Sequence, residues 1–205
     1  MQAQALRASW AGAWRELGVQ SPDTALFDAL LARYDEPQRA YHTRQHLAEC
    51  LLHFERERGH AECPAEVALA LWFHDAIYDL GRHDNEARSA DWARQALLGA
   101  GVAPEAAERV HALVMATRHD AVPEGNDARL LVDIDLAILG TPPERFAEYE
   151  RQIRVEYAHI APEVFEPKRR EILSRFLTRE PLYQTASLRD RLETAARRNL
   201  QQVIR

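Results

Sequence analysis

An all-α protein, folded as one bundle of about nine helices, is what three observations predict. Ala, Leu, Glu and Arg are abundant, Gly and Pro fall at the borders of the apolar-periodic segments, and no alternating run is bounded by hairpin turns. The chain has 205 residues and no repeat, low-complexity run or linker divides it. A single domain over 1–205 follows, with a core at about 35–140 and the helices of 142–205 packed on it.

The elements follow in order. Ala3 to Leu17 reads as one helix ended by Gly18. Ser21 suits an N-cap with Pro22 at the first helical position, and that helix runs to Tyr34. Asp35-Glu36-Pro37 breaks it. A further helix starts near His42 or Thr43 and continues to Arg58. Pro64 opens the next, predicted to carry His74-Asp75 in its interior and to end between Tyr78 and Gly81. After the loop Gly81 to Asp84, Asn85 to Leu98 is helical, closed by Gly99 and Gly101. Pro104 to Thr117 follows, then a loop from Ala121 to Asn126. Ala128 to Leu139 reads as a helix stopped by Gly140. Its cluster of Val, Ile and Leu also fits a buried strand. Thr141-Pro142-Pro143-Glu144 gives a start signal, with Thr as N-cap and Glu at the third position. That helix runs to His159, and Pro162 to Arg179 and Leu188 to Val203 complete the chain.

Composition narrows the classes of function. Hydrophobic residues make up 46% and charged residues 28%, the balance of an ordinary soluble globular protein. No apolar run approaches the ~18 residues of a membrane span, and Met1 to Trp14 lacks the pattern of a secretory signal. A net charge of −6 argues against a nucleic-acid partner. Cys50 and Cys63 match no zinc spacing and read as reduced, buried thiols of a cytoplasmic protein. The Trp10-Trp14 stripe suits the core or a homo-oligomer interface, and Trp72 and Phe73 suit the core.

Three segments carry chemistry. Leu71 to Asp79 is apolar yet holds His74 and Asp75, which are costly to bury unless paired or bound to a metal. Tyr41-His42-Thr43-Arg44-Gln45-His46 places two histidines four apart, on one face if the segment is helical. Leu131 to Gly140 is apolar and holds Asp133 and Asp135. One of these carboxylates could cap a neighbouring helix; two, beside the histidines, ask for more. Imidazole nitrogen with carboxylate oxygen is a ligand set for divalent Mn, Fe, Zn or similar ions.

The order His, then His-Asp, then Asp on an all-α scaffold resembles the HD superfamily of metal-dependent phosphohydrolases, over about Asp35 to Gly140. The resemblance implies one divalent ion (Mn, Fe, Zn, Ni or Mg) bound by His46, His74, Asp75 and Asp135, with Asp133 beside the ligands or, as the alternative, in Asp135's place as the fourth. Tyr41-His42-x-x-Gln45-His46 resembles the Tyr-His-Asn-x-x-His segment of cyclic-nucleotide phosphodiesterases. That makes His42 the proton donor to the leaving group, with Asp75 as catalytic carboxylate and ligand; Thr43 stands where that segment has Asn. Arg154-Val155-Glu156-Tyr157 and Ala195 to Leu200 are similar to an uncharacterised bacterial subgroup of predicted HD phosphohydrolases.

The expected reaction is hydrolysis of a small phosphorylated substrate, a phosphomonoester or a phosphodiester such as a nucleotide, by metal-activated water. Both imidazole ligands must be neutral to bind, so activity should fall below pH ~6. Asp79, Glu86 and Asp133 are candidates to orient the ligand imidazoles. Asn85, Glu86, His111, His119, Arg44, Arg118 and Arg154 are candidates to meet substrate or phosphate, and His119 also to hold a second metal. His53, His60, His83 and His159 read as structural or surface residues. The alternative is a metal-containing module that binds a nucleotide without turnover. A diiron oxygenase, known among relatives of the superfamily, would need His111 and His119 as further ligands.

Overall fold

A computed structural model describes residues 2–204. The described residues form ten α-helices and two short 3-10 turns joined by turns and loops, with no strand among them. The all-α prediction holds, and the buried-strand reading of Leu130 to Leu139 is replaced by helix and 3-10 turn. None of the helices is long and apolar enough to cross a membrane. The chain divides into two compact units, one up to Val132 and one from Asp133 onward.

The first unit contains α1 (Gln2–Glu16), α2 (Thr24–Tyr34), α3 (Arg44–Glu57), α4 (Pro64–Phe73), α5 (Asn85–Gly99), α6 (Pro104–Ala116) and most of α7 (Asn126–Asp135). Its centre is α4. Pro64 sits at the first helical position, where its missing N–H is no loss, and every residue from Ala65 to Phe73 is buried. A helix apolar on all sides belongs in a core, and α1, α3, α5 and α6 pack around it. The Trp10 ring contacts those of Trp14, Phe27, Trp72 and Phe73 at 5.1–6.2 Å between centroids. Trp10 and Trp14 are therefore core, and the interface reading of that stripe falls away.

One helix start differs from expectation, and a second, found where it was expected, bears on the histidines. Asp23, not Ser21, caps α2, its carboxylate accepting from the Ala25 N–H at 2.8 Å. At α3 the cap is Thr43, which accepts from Gln45 N–H at 3.3 Å. His42 thus precedes the helix, and its nearness to His46 owes nothing to a shared helical face.

The larger difference lies at the end of α4. The helix stops at Phe73, so His74 and Asp75 leave its C-terminus instead of standing in its interior. Terminal carbonyls need partners, and distant side chains supply them. Tyr34 Oη donates to Trp72 O at 3.1 Å. Arg39 donates to Asp75 O at 2.7 Å and Ala76 O at 3.3 Å. The Ile77 N–H leaves the helical ladder for Ser89 Oγ on α5, at 3.0 Å. Burial of the Tyr34 hydroxyl pushes its pKa up to about 12.

The second unit contains the last residues of α7, a 3-10 turn (Leu136–Gly140), α8 (Pro143–Glu156), α9 (Pro162–Thr178) and α10 (Ala186–Ile204). The 3-10 turn packs on α10. Gly140 is fixed by that contact: a Cβ there would meet Leu192 Cβ at 2.6 Å and Leu192 O at 2.9 Å. Asn199 Nδ2 donates to Leu139 O and Thr141 O, each at 2.9 Å. Thr141 is not an N-cap; its hydroxyl donates to Ile138 O at 2.7 Å, and α8 begins at Pro143.

Asp133 belongs to this scaffold. Its carboxylate accepts from Gln184 N–H at 3.0 Å, and from Thr185 N–H and Thr185 Oγ1–H at 2.6 Å each. It is the carboxylate that holds the start of a neighbouring helix, here α10. Burial raises its pKa, and the Thr185 hydrogen bonds oppose that rise without cancelling it. A carboxyl raised in the folded state keeps its proton to higher pH there than when unfolded, so this group's contribution falls as pH rises through that window. Asp133→Ala is expected to cost ~1–3 kcal/mol by leaving buried donors unpaired. Asp133→Asn should steepen the acid arm of the stability–pH curve by removing that opposing slope, and urea unfolding between pH 4 and 7 reads both effects. An unchanged curve for both variants would contradict the role.

Candidate metal centre

Three ligand-type atoms converge where α4 ends beside the first turn of α3. His46 Nε2 and His74 Nε2 are 3.0 Å apart. Asp75 Oδ2 lies 3.1 Å from His74 Nε2 and 3.3 Å from His46 Nε2. Both imidazoles are buried, while the Asp75 side chain keeps 19% of its surface exposed. The triangle is closed on the protein side and open at one carboxylate.

Adjacent residues on a helix diverge by ~100°. Because α4 ends at Phe73, His74 and Asp75 escape that divergence and reach one point. His74 Nδ1 lies 2.7 Å from Leu71 O. A carbonyl only accepts, so Nδ1 carries the proton, and in the neutral ring Nε2 presents its lone pair to the triangle. None of Asp79, Glu86 or Asp133 takes this orienting part; a main-chain carbonyl does.

Asp75 also only accepts. Burial pushes its pKa up, but His74 and His42 as charges, and hydrogen bonds from His46 and His74, hold it well below the usual carboxylate range. With Nδ1 protonated, the neutral His74 ring and the Asp75 carboxylate are two acceptors 3.1 Å apart, an arrangement that either a proton on Nε2 or a metal ion relieves. A proton on one ring nitrogen serves part of the triangle; a metal ion serves all three atoms. Donors at bond lengths of ~2.0–2.2 Å and near-right angles stand about 3 Å apart, which is the spacing found. The residues fit a divalent ion.

Cys50 enters from the next turn of α3. Its Sγ lies 3.7 Å from each ring nitrogen of His46, and the ligand atoms of His46, Cys50 and His74 lie within 4.8 Å of one another. A buried group of two histidines and a cysteine, with the Asp75 carboxylate at its edge, could thus hold a metal ion. The sequence reading took Cys50 as a plain core thiol. Its i, i+4 relation to His46 was the signal that places both on one helix face. Sulfur in the set would favour softer ions such as Zn²⁺ over Mg²⁺.

His42 stands beside the triangle, its ring centroid 5.9 Å from that of His46. Tyr41 and Tyr78 hold it, at 4.9 Å and 4.3 Å between centroids. Tyr78 was not anticipated. Neither was Arg39, whose guanidinium reaches His42 O at 3.0 Å and Asp75 O at 2.7 Å.

The other candidates of the first unit lie at the start of α3, at the start of α5, and on and after α6. Asn85 clamps the loop after the doublet, accepting from Asp79 N–H at 3.1 Å and donating to Asp79 O at 2.9 Å. Glu86 lies in the first turn of α5, where a carboxylate suits the helix dipole. His111 Nε2 is 3.4 Å from Asp91 on α5. His119 follows α6 with φ 58°, in the left-handed region. Arg44 pairs with Asp35 and Arg118 with Asp120.

In the second unit, Arg154 donates to Tyr157 O at 2.6 Å and Ile160 O at 3.0 Å, closing the end of α8. Arg197 likewise donates to Leu177 O and Arg179 O. Arg154 and Arg197 thus tie helix ends. Asp135 is the last residue of α7 and half-buried.

No family model, curated protein or solved structure matches the chain.

Proposed function

We propose that the protein is a metal-dependent hydrolase of a small phosphorylated substrate, of the HD phosphohydrolase kind. The observation that carries the reading is the convergence of His46 Nε2, His74 Nε2 and Asp75 Oδ2 within 3.0–3.3 Å. Two imidazoles and a carboxylate on one point, open on the carboxylate side, are a ligand set that leaves coordination positions for water and substrate. A divalent ion held there supplies charge neutralisation at a phosphoryl oxygen and a water of lowered pKa.

The chain's own residues do the rest. Leu71 O fixes the His74 tautomer, so the ring always offers Nε2. Asp75 stays ionised, and its exposed edge marks the side from which a phosphate approaches. His42, outside the triangle and packed against Tyr78, donates the proton that the departing oxygen needs. The fourth ligand is assigned to Asp135 by the HD resemblance. Engagement of Asp133 by α10 leaves that stretch one other acidic residue for the task.

Elemental analysis of the purified full chain tests the first half of this reading, and a panel of phosphomonoesters, phosphodiesters and nucleotides with added Mn²⁺ tests the second. One divalent ion per chain with turnover is expected. A protein that takes up none of Mn²⁺, Fe²⁺, Zn²⁺, Ni²⁺ or Mg²⁺ would sink the proposal. Metal uptake and nucleotide binding without product would leave only the non-catalytic binding module.

A further inference from the structure

Arg39 lies in the connection between α2 and α3, and its side chain has no exposed surface. A buried guanidinium is costly unless its donors are met. Here they are met by main chain from two segments. A single nitrogen, Nη1, donates to both His42 O at 3.0 Å and Asp75 O at 2.7 Å. Nη2 donates to Ala76 O at 3.3 Å, and Nε to Glu36 Oε2 at 3.2 Å. The guanidinium also sits over the rings of Tyr34 and Tyr78, 5.3 Å and 5.2 Å from their centroids. Tyr78 is the ring that packs on His42 at 4.3 Å.

We infer that Arg39 is a positioning residue that sets the distance between the Asp75 carboxylate and the His42 imidazole. The inference rests on the metal-hydrolase reading above and assigns a role that neither the motif spacing nor the resemblance contains. Asp75 follows the end of α4, and His42 precedes the start of α3. The two are 33 positions apart in sequence, and the Nη1 atom bonds the main chain of both. Helix geometry does not fix their separation, because each lies just outside its helix; the shared donor does. Lysine is no substitute, since one ammonium cannot reach three carbonyls and a carboxylate in the plane of a guanidinium fork.

The experiment compares Arg39→Lys and Arg39→Gln with Arg109→Lys in the full chain. Arg109 donates to the buried Glu66 carboxylate at 2.6 Å and 2.8 Å, so it controls for loss of an equally well-paired guanidinium. Mn²⁺ alone is titrated by calorimetry, and kcat and KM are measured on a phosphoester that the wild type hydrolyses. Both Arg39 variants are expected to bind Mn²⁺ ~10–100-fold more weakly, as when a ligand's support is removed, with kcat lowered and KM little changed. Arg109→Lys should lower only the melting temperature.

Folded Arg39 variants with wild-type Mn²⁺ affinity and kcat overturn the inference. Should neither fold, Glu36→Gln removes the carboxylate partner of Arg39, and unchanged Mn²⁺ affinity and kcat there overturn it equally. A wild type that takes up no metal overturns the functional reading itself, and the inference with it. The two failures are thereby told apart.

Discussion

Asp75→Ala is expected to give a folded protein that has lost its ion and at least ~10³-fold in kcat/KM, because without the ion water keeps its pKa of ~15.7 instead of ~7. Folding should survive because the contacts that hold this segment go to main chain: Asp75 O accepts from Arg39, as does Ala76 O, and Ile77 N–H donates to Ser89. What disappears is the anionic corner of the triangle. Two buried imidazoles 3.0 Å apart then have no carboxylate to balance a bound cation. In the metal-free protein the substitution also changes the acid response. A carboxyl lowered in the folded state contributes stability above its unfolded pKa of ~3.9 and loses it as pH falls below. Asp75→Ala should remove that contribution and flatten the acid limb. Elemental analysis, an activity assay and unfolding curves from pH 2 to 7 check the three statements. A variant that keeps both metal and activity would end the hydrolase reading.

His42→Ala separates the proton donor from the ligands. The ring is packed by Tyr41 and Tyr78 and lies outside the His46–His74–Asp75 triangle, so metal content should be unchanged. General acid catalysis contributes ~10²–10⁴-fold, and kcat should fall by that range with a smaller change in KM. The loss depends on the leaving group. An alkyl phosphoester needs a proton on its departing oxygen and should show the full loss; a p-nitrophenyl ester departs as a stable anion and should lose far less. Equal losses on both esters would place His42 in binding and not in proton transfer.

The same residues show what sequence conveys. The all-α class was legible because its signals are local: apolar period, Pro at helix starts, Gly at ends. His46 and His74-Asp75 were legible because polar groups in an apolar stretch demand a reason. The geometry that makes them a site was not. The end of α4 is decided by Tyr34 and Arg39, at positions 38 and 36 residues earlier than the carbonyls they reach, and no local pattern announces a cap from that distance. Ser21-Pro22 was a stronger local signal than Asp23, yet the Asp23 carboxylate is the one that meets a helix N–H. Asp133 and Asp135 look alike in sequence. They differ because Gln184 and Thr185, about fifty residues later, claim one of them. Cys50 read as core because burial was visible in its neighbours and its distance to His46 was not.

The burial of α4 has a consequence for time scales. A helix with all its side chains in the core exchanges its amide protons only when the surrounding unit opens. His74 and Asp75 follow its last turn, so they inherit its rigidity, and the cage cannot loosen by local fraying as a surface loop would. Amide exchange along Leu69 to Phe73 should be the slowest of the first unit. An ion arriving at the end of that helix would meet ligands already held in place, and the slow exchange should be present before any metal is added.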